Sequence, residues 1–270
     1  MRNHFSQKLL YGNMNPYHQS NQKRWEAAAS NWKAMHDRRG TWRNCVDSPE
    51  LVFVTEELKY FQHIRGKRVA VLGSGDNLAV FALAGLGAQV TSVDISHQQL
   101  DIAAARAKEL NLNIRFVPSD VCRLEALEND HFDLVYTGGH VAVWVAELEQ
   151  YYREAVRILK LGGIFMVNEY HPFRRIWRDG TDKLEVAYDY YDRGPFVFKY
   201  TDDILSREDG GLASYEFHWT VSDFIQAILK AGCELIDTAE FGEHVGDWEG
   251  APMHGLPECL LLVGRKRPGD

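Results

Sequence analysis

A strand-turn-helix segment near residue 70 constrains the fold of this chain more than any other feature. The apolar run 68–72 leads directly into Gly73-Ser74-Gly75, and a second apolar run follows at 78–86. Glycines let the backbone approach a ligand closely, and the start of the following helix offers unpaired N–H groups. The segment therefore predicts a strand, a tight turn and a helix, with a turn that either binds a ligand or only connects the two elements.

Acidic residues follow the next two apolar runs. The run 89–93 ends in Asp94, about twenty residues after Gly73, and the run 114–117 is followed by Asp120. An acidic residue at the end of the second strand is positioned to accept hydrogen bonds from the two hydroxyls of a ribose. Because parallel strands end at the same edge of a sheet, we expect Asp120 at that edge too. These residues predict a nucleoside site.

The glycine turn lacks the features that bind a diphosphate. Leu78 stands where the dinucleotide fingerprint has its third glycine, and no lysine of the Walker type follows the turn. A nucleoside that carries no phosphates remains. With Asp94 at the ribose and Asp120 near the adenine amine, S-adenosylmethionine fits this site.

The apolar pattern predicts further elements on both sides of this segment. A helix over 21–32 places Trp25 and Trp32 on one face, where they either pack on the core or cover the cofactor as a lid. Further strands are expected over 132–137, 164–169, 234–241 and 259–263, and Leu161-Gly162-Gly163 is expected to end the helix before the fifth strand. Residues 173–218 are rich in aromatic side chains and predict an insertion that encloses a small molecule.

Composition and charge bear on the partners. The 270 residues carry 30 basic and 38 acidic side chains, a formal charge of −8, which argues against a nucleic-acid backbone as the main partner. No secretory leader and no apolar run of membrane-spanning length is present, so we expect a cytoplasmic protein without a membrane partner. The four scattered cysteines, Cys45, Cys122, Cys233 and Cys259, predict free thiols rather than a zinc site.

In their order and spacing, these segments resemble the class I S-adenosylmethionine-dependent methyltransferases. The matching residues are Leu72-Gly73-Ser74-Gly75, Asp94-Ile95, Asp120-Val121 and the run 132–135, and Leu159-Lys160-Leu161-Gly162-Gly163 is similar to the Leu-Lys-Pro-Gly-Gly of that family. A narrower resemblance, through Tyr136-Thr137, Glu169-Tyr170-His171-Pro172 and the run 215–219, is to bacterial small-molecule methyltransferases of the Methyltransf_11/25 type. Two positions depart from the family: Val71 stands where an acidic residue is frequent, and Asn77 where the third glycine is usual.

The resemblance implies an α/β fold and a division of the chain. We expect a Rossmann-like seven-stranded sheet, with six parallel strands and one antiparallel strand near the C-terminus, and helices on both faces. Residues 1–65 would form an N-terminal helical cap or lid. Residues 66–270 would form the S-adenosylmethionine-binding domain, with 173–218 as the substrate-capping insertion after strand five.

The resemblance also implies the site residues. The cofactor, S-adenosylmethionine, and its product S-adenosylhomocysteine would be held by Gly73, Ser74, Gly75, Asp94, Ile95, Asp120, Val121, Tyr136 and Thr137. Methyl transfer from a sulfonium is an in-line displacement that needs positioning and an unprotonated acceptor, but no metal. We expect N- or O-methylation of an aromatic or amine small molecule, and the sequence indicates no particular oligomeric state.

Four ionisable residues are candidates for the reaction itself: His140, Glu169, His171 and His218. One of the histidines would act as general base or would orient the acceptor. Each histidine alone also fits a structural hydrogen bond. The set gains weight because open α/β sheets bind ligands at the carboxyl ends of their strands.

Other functions remain open at this stage. An NAD(P)-dependent oxidoreductase is disfavoured by Leu78 and by the run 159–163. An RNA or protein methyltransferase would have the same cofactor site, but the acidic balance and the aromatic insertion suit a small ligand better. A non-catalytic nucleoside-binding partner subunit would keep the glycine turn and transfer no methyl group.

Overall fold

The computed structural model describes residues 14–178, 180–199, 212–243 and 252–268. Residues 1–13 of the expected N-terminal cap and 200–211 of the expected insertion lie outside this description. Within the described ranges, no helix combines the length and the apolar character needed to cross a membrane.

A seven-stranded sheet forms the centre of the fold. The strands of the chain are β1 (Arg68–Leu72), β2 (Gln89–Asp94), β3 (Arg115–Pro118), β4 (Phe132–Gly138), β5 (Leu159–Tyr170), β6 (Phe196–Lys199), β7 (Ala213–Glu216), β8 (Cys233–Glu243) and β9 (Pro257–Lys266). The order in the sheet is β3-β2-β1-β4-β5-β9-β8; β9 is antiparallel to both of its neighbours, and the other six strands run in one direction. Strands β6 and β7, which follow β5 in the chain, form a separate antiparallel pair. The expected Rossmann-like α/β sheet is confirmed.

Helices cover both faces of the sheet because successive strand residues point to opposite sides. The helices are α1 (Pro16–Arg39), α2 (Thr41–Asn44), α3 (Thr55–Phe61), α4 (Leu78–Gly85), α5 (His97–Glu109), α6 (Leu148–Arg157) and α7 (Val221–Lys230). Leu72 belongs to the apolar cluster on the side of α6 and α7, whereas Val71 belongs to the cluster on the side of α3 to α5. Short 3-10 turns occupy Pro49–Leu51, Ala142–Trp144 and Pro172–Ile176.

One expected helix end is wrong. Helix α6 ends at Arg157, and Leu161-Gly162-Gly163 lie inside β5, which already begins at Leu159. Gly162 has a φ of +73°, a left-handed conformation that glycine adopts easily, and it lies in the irregular first part of β5 and not at the end of a helix. Pairing of Leu159 with Phe132 of β4 outweighs the local helix-stop signal.

Helix α1 begins earlier and ends later than the pattern of residues 21–32 predicts. Asn15 caps it by accepting a hydrogen bond from the Tyr17 backbone, and Gly40, with a φ of +70°, ends it. Its side chains contact backbone groups that follow β2 and β4: Gln22 donates to the Ile95 carbonyl and Asn21 to the Trp144 carbonyl. The helix therefore lies across the carboxyl ends of the strands.

Candidate active site

A cavity of about 470 Å³ opens at the carboxyl ends of the central strands. The glycine turn after β1 and the ends of β2 and β3 form one end, the loop after β4 forms the other, and α1 covers both. Its lining residues are His18, Asn21, Trp25, Trp32, His36, Gly73, Ser74, Gly75, Asp76, Asn77, Leu78, Asp94, Ile95, Gln99, Asp120, Val121, Gly139, His140, Val141, Trp144, Val145 and Tyr170.

The glycine turn has the conformation that its composition indicates. Gly73 and Gly75 have φ values of +63° and +48°, a region that side chains with a Cβ rarely adopt. A Cβ on Gly73 would also overlap with the side chain of Val141. Asn77, at the position of the family's third glycine, caps α4 by accepting a hydrogen bond of 2.8 Å from the Ala79 backbone. Where the family usually has its third glycine, this chain thus has an asparagine whose side chain caps the helix α4.

Asp94 lies buried at the end of β2, beside this turn. Its Oδ2 accepts a hydrogen bond of 2.7 Å from the Gly75 backbone, and its Oδ1 accepts one of 2.8 Å from the Ser96 backbone. Burial raises the pKa of Asp94 to about 6, so the carboxylate form still predominates at neutral pH. Each carboxylate oxygen can accept a second hydrogen bond, which suits a pair of ribose hydroxyls.

Asp120 contacts α1 directly. Its Oδ1 accepts from the Cys122 backbone at 2.9 Å, and its Oδ2 lies 2.7 Å from Nδ1 of His18. The other ring nitrogen of His18, Nε2, accepts a hydrogen bond of 2.9 Å from the Ala146 backbone. The proton of the neutral ring is therefore assigned to Nδ1, which donates to Asp120.

The side chains of His18, Asp120 and Cys122 also have the spacing of a metal site, since their donor atoms lie within 4.8 Å of one another. Both nitrogens of His18 are already hydrogen-bonded, and the Cys122 thiol donates to the Glu147 carbonyl. Burial and nearby carboxylates raise the pKa of the thiol far above its usual range, whereas a metal needs the thiolate. The hydrogen-bonded arrangement does not fit a metal.

Tryptophan side chains form much of the wall under α1. Trp25 packs against Trp32 of the same helix, with ring centroids 6.1 Å apart, and against Trp144 at 5.3 Å. Tyr17 does not line the cavity, because its ring packs on Tyr215 at 4.8 Å. Three tryptophans, two of α1 and one of the loop after β4, thus meet in this part of the wall.

The far end of α1 is joined to the glycine turn by a buried ion cluster. His36 Nδ1 lies 3.1 Å from Asp76, and Arg106 of α5 forms an ion pair with the same carboxylate. Arg106 also donates to Asp37 at 3.0 Å and to the Lys33 carbonyl at 3.2 Å. This cluster connects α1, α5 and the glycine turn in one network of hydrogen bonds and ion pairs.

His140 lines the end of the cavity away from Asp94 and has a φ of +80°. A side-chain nitrogen of Arg175 donates to its Nε2, and Arg175 forms an ion pair of 3.1 Å with the buried carboxylate of Glu216. The ring packs on Tyr170 with centroids 4.4 Å apart. Burial, together with the charges of Arg175 and Arg174, lowers the pKa of His140 well below its usual value, so the ring is neutral at pH 7.

Glu169 lies behind the loop that carries His140 and is not part of the cavity wall. Its Oε1 accepts hydrogen bonds from the backbone of Val141 at 3.1 Å and of Ala142 at 2.9 Å. Burial raises the pKa of Glu169 to about 7. The residue therefore holds the loop after β4 in place.

The two remaining candidate histidines lie outside the cavity wall. His171 is paired with Glu240 of β8 at 2.8 Å and stacks on Phe173. His218 stacks on Phe196 with centroids 4.1 Å apart and lies 3.7 Å from Glu216. Of the four candidates, His140 alone is in the wall; His218 lies beside Glu216, which is paired with the Arg175 that contacts His140.

Tyr136 and Thr137, expected at the cofactor, also lie outside the wall. The Tyr136 hydroxyl donates to Glu57 at 2.9 Å, and Thr137 is hydrogen-bonded to the Tyr151 hydroxyl at 2.6 Å. Both precede the end of β4, so their side chains point into the cores on the two faces of the sheet. The other expected cofactor residues, Gly73, Ser74, Gly75, Asp94, Ile95, Asp120 and Val121, all line the cavity.

Comparison with known proteins gives consistent matches. A family model described as a methyltransferase domain matches residues 71–167. The chain is 30% identical over 154 residues to a ubiquinone biosynthesis O-methyltransferase from Caulobacter sp. (strain K31), which covers 53% of this chain and 60% of that protein. The chain thus spans less than two thirds of that relative's length.

Solved structures share the fold. A putative S-adenosylmethionine-dependent methyltransferase from Listeria monocytogenes superposes with a TM-score of 0.61 at 23% identity, over 79% of this chain and 97% of that one. Magnesium protoporphyrin IX methyltransferase from Synechocystis PCC 6803, solved with bound S-adenosylmethionine, gives a TM-score of 0.59 at 13% identity, over 94% and 98%. Residues 71–167 are thus similar to a methyltransferase domain, and the fold is the one found in structures of S-adenosylmethionine-dependent methyltransferases.

Proposed function

We propose that this chain transfers a methyl group from S-adenosylmethionine to a nitrogen or oxygen of a small aromatic or amine acceptor. The observation that carries the proposal is that one cavity is lined by the glycine turn, by Asp94 at the end of β2 and by His140 in the loop after β4. A nucleoside at the first end would direct its reactive group toward the second. The printed activity of the Caulobacter relative, an O-methyltransferase, supports the same class of reaction.

Two additions to the central sheet would enclose the acceptor. The N-terminal cap, residues 1–65, contributes α1 with Trp25 and Trp32 to the cavity wall. The insertion 173–218 contributes Arg175, which donates to His140, and Glu216, which forms an ion pair with Arg175. A concave site with Trp25, Trp32 and Trp144 in its wall favours a small molecule over an RNA or a protein chain as the acceptor.

The side chains of this site would bind and orient the two reactants and exclude water. S-adenosylmethionine supplies a methyl group on a positively charged sulfur. The carboxylate of Asp94 would hold the ribose, the N–H groups and small residues of the glycine turn would allow close approach, and Asp120 would lie near the adenine. Holding two reactants in line accounts for much of the rate enhancement in such a displacement.

Calorimetric titration with S-adenosylmethionine and S-adenosylhomocysteine tests the cofactor directly. We expect micromolar binding, and Asp94→Ala should weaken it about 10- to 100-fold, because hydrogen bonds to a charged group are lost. Asp101→Ala, at an exposed position on α5, is the matched control and should bind like the parent chain. A folded protein that binds neither compound would contradict the proposed function.

Transfer of labelled methyl to a panel of phenols and amines then tests the reaction. Product formation with either class, absent in Asp94→Ala, is the expected result. Labelling of bulk RNA or protein in place of the small molecules would instead favour a macromolecular acceptor. Cofactor binding without transfer to any acceptor would favour a non-catalytic partner subunit.

A further inference from the structure

His140 has a defined hydrogen-bonding state because of the group behind it. Arg175 carries donors and no acceptor, so the ring nitrogen that it contacts, Nε2, must supply its lone pair. The other ring nitrogen, Nδ1, lies 3.4 Å from the same guanidinium and gains no acceptor from it. In a neutral ring with an acceptor Nε2, the proton is on Nδ1. His140 is therefore a donor toward any partner other than Arg175.

The charged groups around His140 maintain this state. Arg175 is paired with Glu216 at 3.1 Å, and Arg174, whose guanidinium lies over the Tyr170 ring, is paired with Glu258 at 3.3 Å. Among the described residues, Glu169, His218 and Tyr170 also lie on this side. The nearest charge to the ring is a guanidinium, so a proton added to His140 would be repelled, and an anion beside it would be stabilised.

A general base needs a free lone pair directed at the acceptor. In His140 that lone pair is used by Arg175, and Glu169 uses Oε1 to hold the backbone of Val141 and Ala142 from outside the cavity wall. An amine acceptor can also lose its proton to solvent, but its methylated ammonium product would carry a positive charge close to Arg175. An oxygen acceptor that is already ionised needs no base in the site.

We propose that His140 is a hydrogen-bond donor to the acceptor, not its base, and that the acceptor presents an anionic oxygen, a phenolate or enolate, to Nδ1–H. This deepens the proposed function and rests on it, since it decides between N- and O-methylation. The acceptor loses its proton to solvent before or during binding. Its oxygen then uses a lone pair to form the new carbon–oxygen bond while the carbon–sulfur bond breaks toward sulfur. Arg175 is a positioning residue that acts through His140.

Absorbance titration of 4-nitrophenol bound in the presence of S-adenosylhomocysteine tests the donor role without turnover. Nitrophenolate absorbs differently from nitrophenol, so the pH at which the bound probe ionises can be read directly. We expect the protein to shift this pH below the value in free solution. A bound probe that ionises at or above the solution value, or no binding of the probe, would overturn the proposal.

Two substitutions at the same position separate donor from base. Asn keeps an N–H donor near the place of Nδ1, lacks a titratable group and tolerates a positive φ better than most residues. We expect His140→Asn to keep most of the shift in probe ionisation and to lie within about 10-fold of the parent turnover of phenol, whereas His140→Ala loses the shift. Equal loss in both variants would identify a base. The exposed His63→Asn is the matched control.

The pH profile of kcat/KM gives a further readout. If the acceptor ionises on its own, the rising limb should move when phenol is replaced by 4-nitrophenol; a limb that stays fixed would report a base on the protein and overturn the proposal. Arg175→Met should add a limb on the acid side of the ordinary histidine value of about 6.5, because the freed Nε2 of His140 can then be protonated while burial still lowers the pKa of the ring. Methylation of phenethylamine but not of either phenol would show the acceptor class to be wrong. Failure of S-adenosylmethionine to bind would instead contradict the proposed function.

Discussion

His18 of α1 donates a hydrogen bond of 2.7 Å to Asp120, which follows β3, and on its other side accepts one of 2.9 Å from the Ala146 backbone. One side chain of the N-terminal helix thus bridges the loops that follow β3 and β4. No charge is needed for this bridge, because a neutral imidazole is both donor and acceptor.

The His18 bridge predicts an effect on cofactor release. His18→Ala would leave the Ala146 N–H without its partner, at a cost of about 1–3 kcal/mol, and would loosen the first turns of α1. We expect S-adenosylhomocysteine to bind about 10-fold more weakly, chiefly through faster dissociation in stopped-flow measurements. Lys23→Ala, exposed on the same helix, should leave the rate unchanged; an unaltered dissociation rate in His18→Ala would show that the bridge does not restrain the cofactor.

Glu169 predicts a dependence of stability on pH. Its pKa is raised to about 7 in the folded chain, so its protonation favours folding below the unfolded value near 4.5, and this contribution is lost as the pH rises through 7. Glu169→Gln keeps the acceptor for Val141 and Ala142 and removes the buried charge. The stability of this variant relative to the parent should therefore increase between pH 5 and pH 8.5, by a difference of the order of 3 kcal/mol.

Urea unfolding at several pH values measures this difference. Glu169→Ala is the contrasting variant: it also removes the carboxyl but leaves two backbone N–H groups unpaired, so it should be less stable than Glu169→Gln at every pH, by about 1–3 kcal/mol. A gap between Glu169→Gln and the parent that did not change with pH would mean that the carboxyl is not buried as described.

The Asp76–Arg106 ion pair predicts a large cost for removing one partner. Both side chains are buried, at 6% and 3% exposure, so Arg106→Met leaves a carboxylate without its main counter-ion, at a cost of about 3–5 kcal/mol. Adding Asp76→Asn should recover part of that loss in urea unfolding. Lys230→Met breaks the exposed pair with Glu149, where the side chains are 56% and 55% exposed, and should cost less than about 1 kcal/mol. Similar costs for the two single variants would refute the structural role of the cluster.

Two glycines with similar backbone angles predict different tolerance to alanine. Gly73 and Gly162 have φ values of +63° and +73°, but only at Gly73 would a Cβ meet another side chain, that of Val141. Gly162→Ala should cost about 1–2 kcal/mol from backbone strain alone. Gly73→Ala should cost about 1–3 kcal/mol more and abolish cofactor binding in calorimetry. Intact binding in Gly73→Ala would show that the turn can move away from Val141.

Residues at strand ends could be placed from the sequence, because a parallel sheet brings the ends of its strands to one edge. Asp94 and Asp120 were predictable for this reason. Tyr136 and Thr137 lie one or two residues before the end of β4, where alternation sends each side chain into a helix-covered core. A difference of two residues along a strand separates a position in the core from one in the cavity.

The contribution of α1 could be predicted only in part. Its tryptophans form a helical pattern, so Trp25 and Trp32 were visible as candidates for a lid. His18 and His36 contact partners that are distant in the chain, such as Asp120, 102 residues away, and a single sequence shows no local sign of such a pair. Likewise, Arg175 becomes significant only once folding brings it against His140.

Asn21 gives the docking of α1 a kinetic consequence. Its amide donates to the carbonyls of Trp144 and Tyr215 and accepts from the Tyr215 backbone, so the helix is also held by the loop after β4 and by β7. If the cavity binds the two reactants as proposed, a motion of α1 would change access to both of them at once. The rates at which the two products leave should then change together when this docking is weakened.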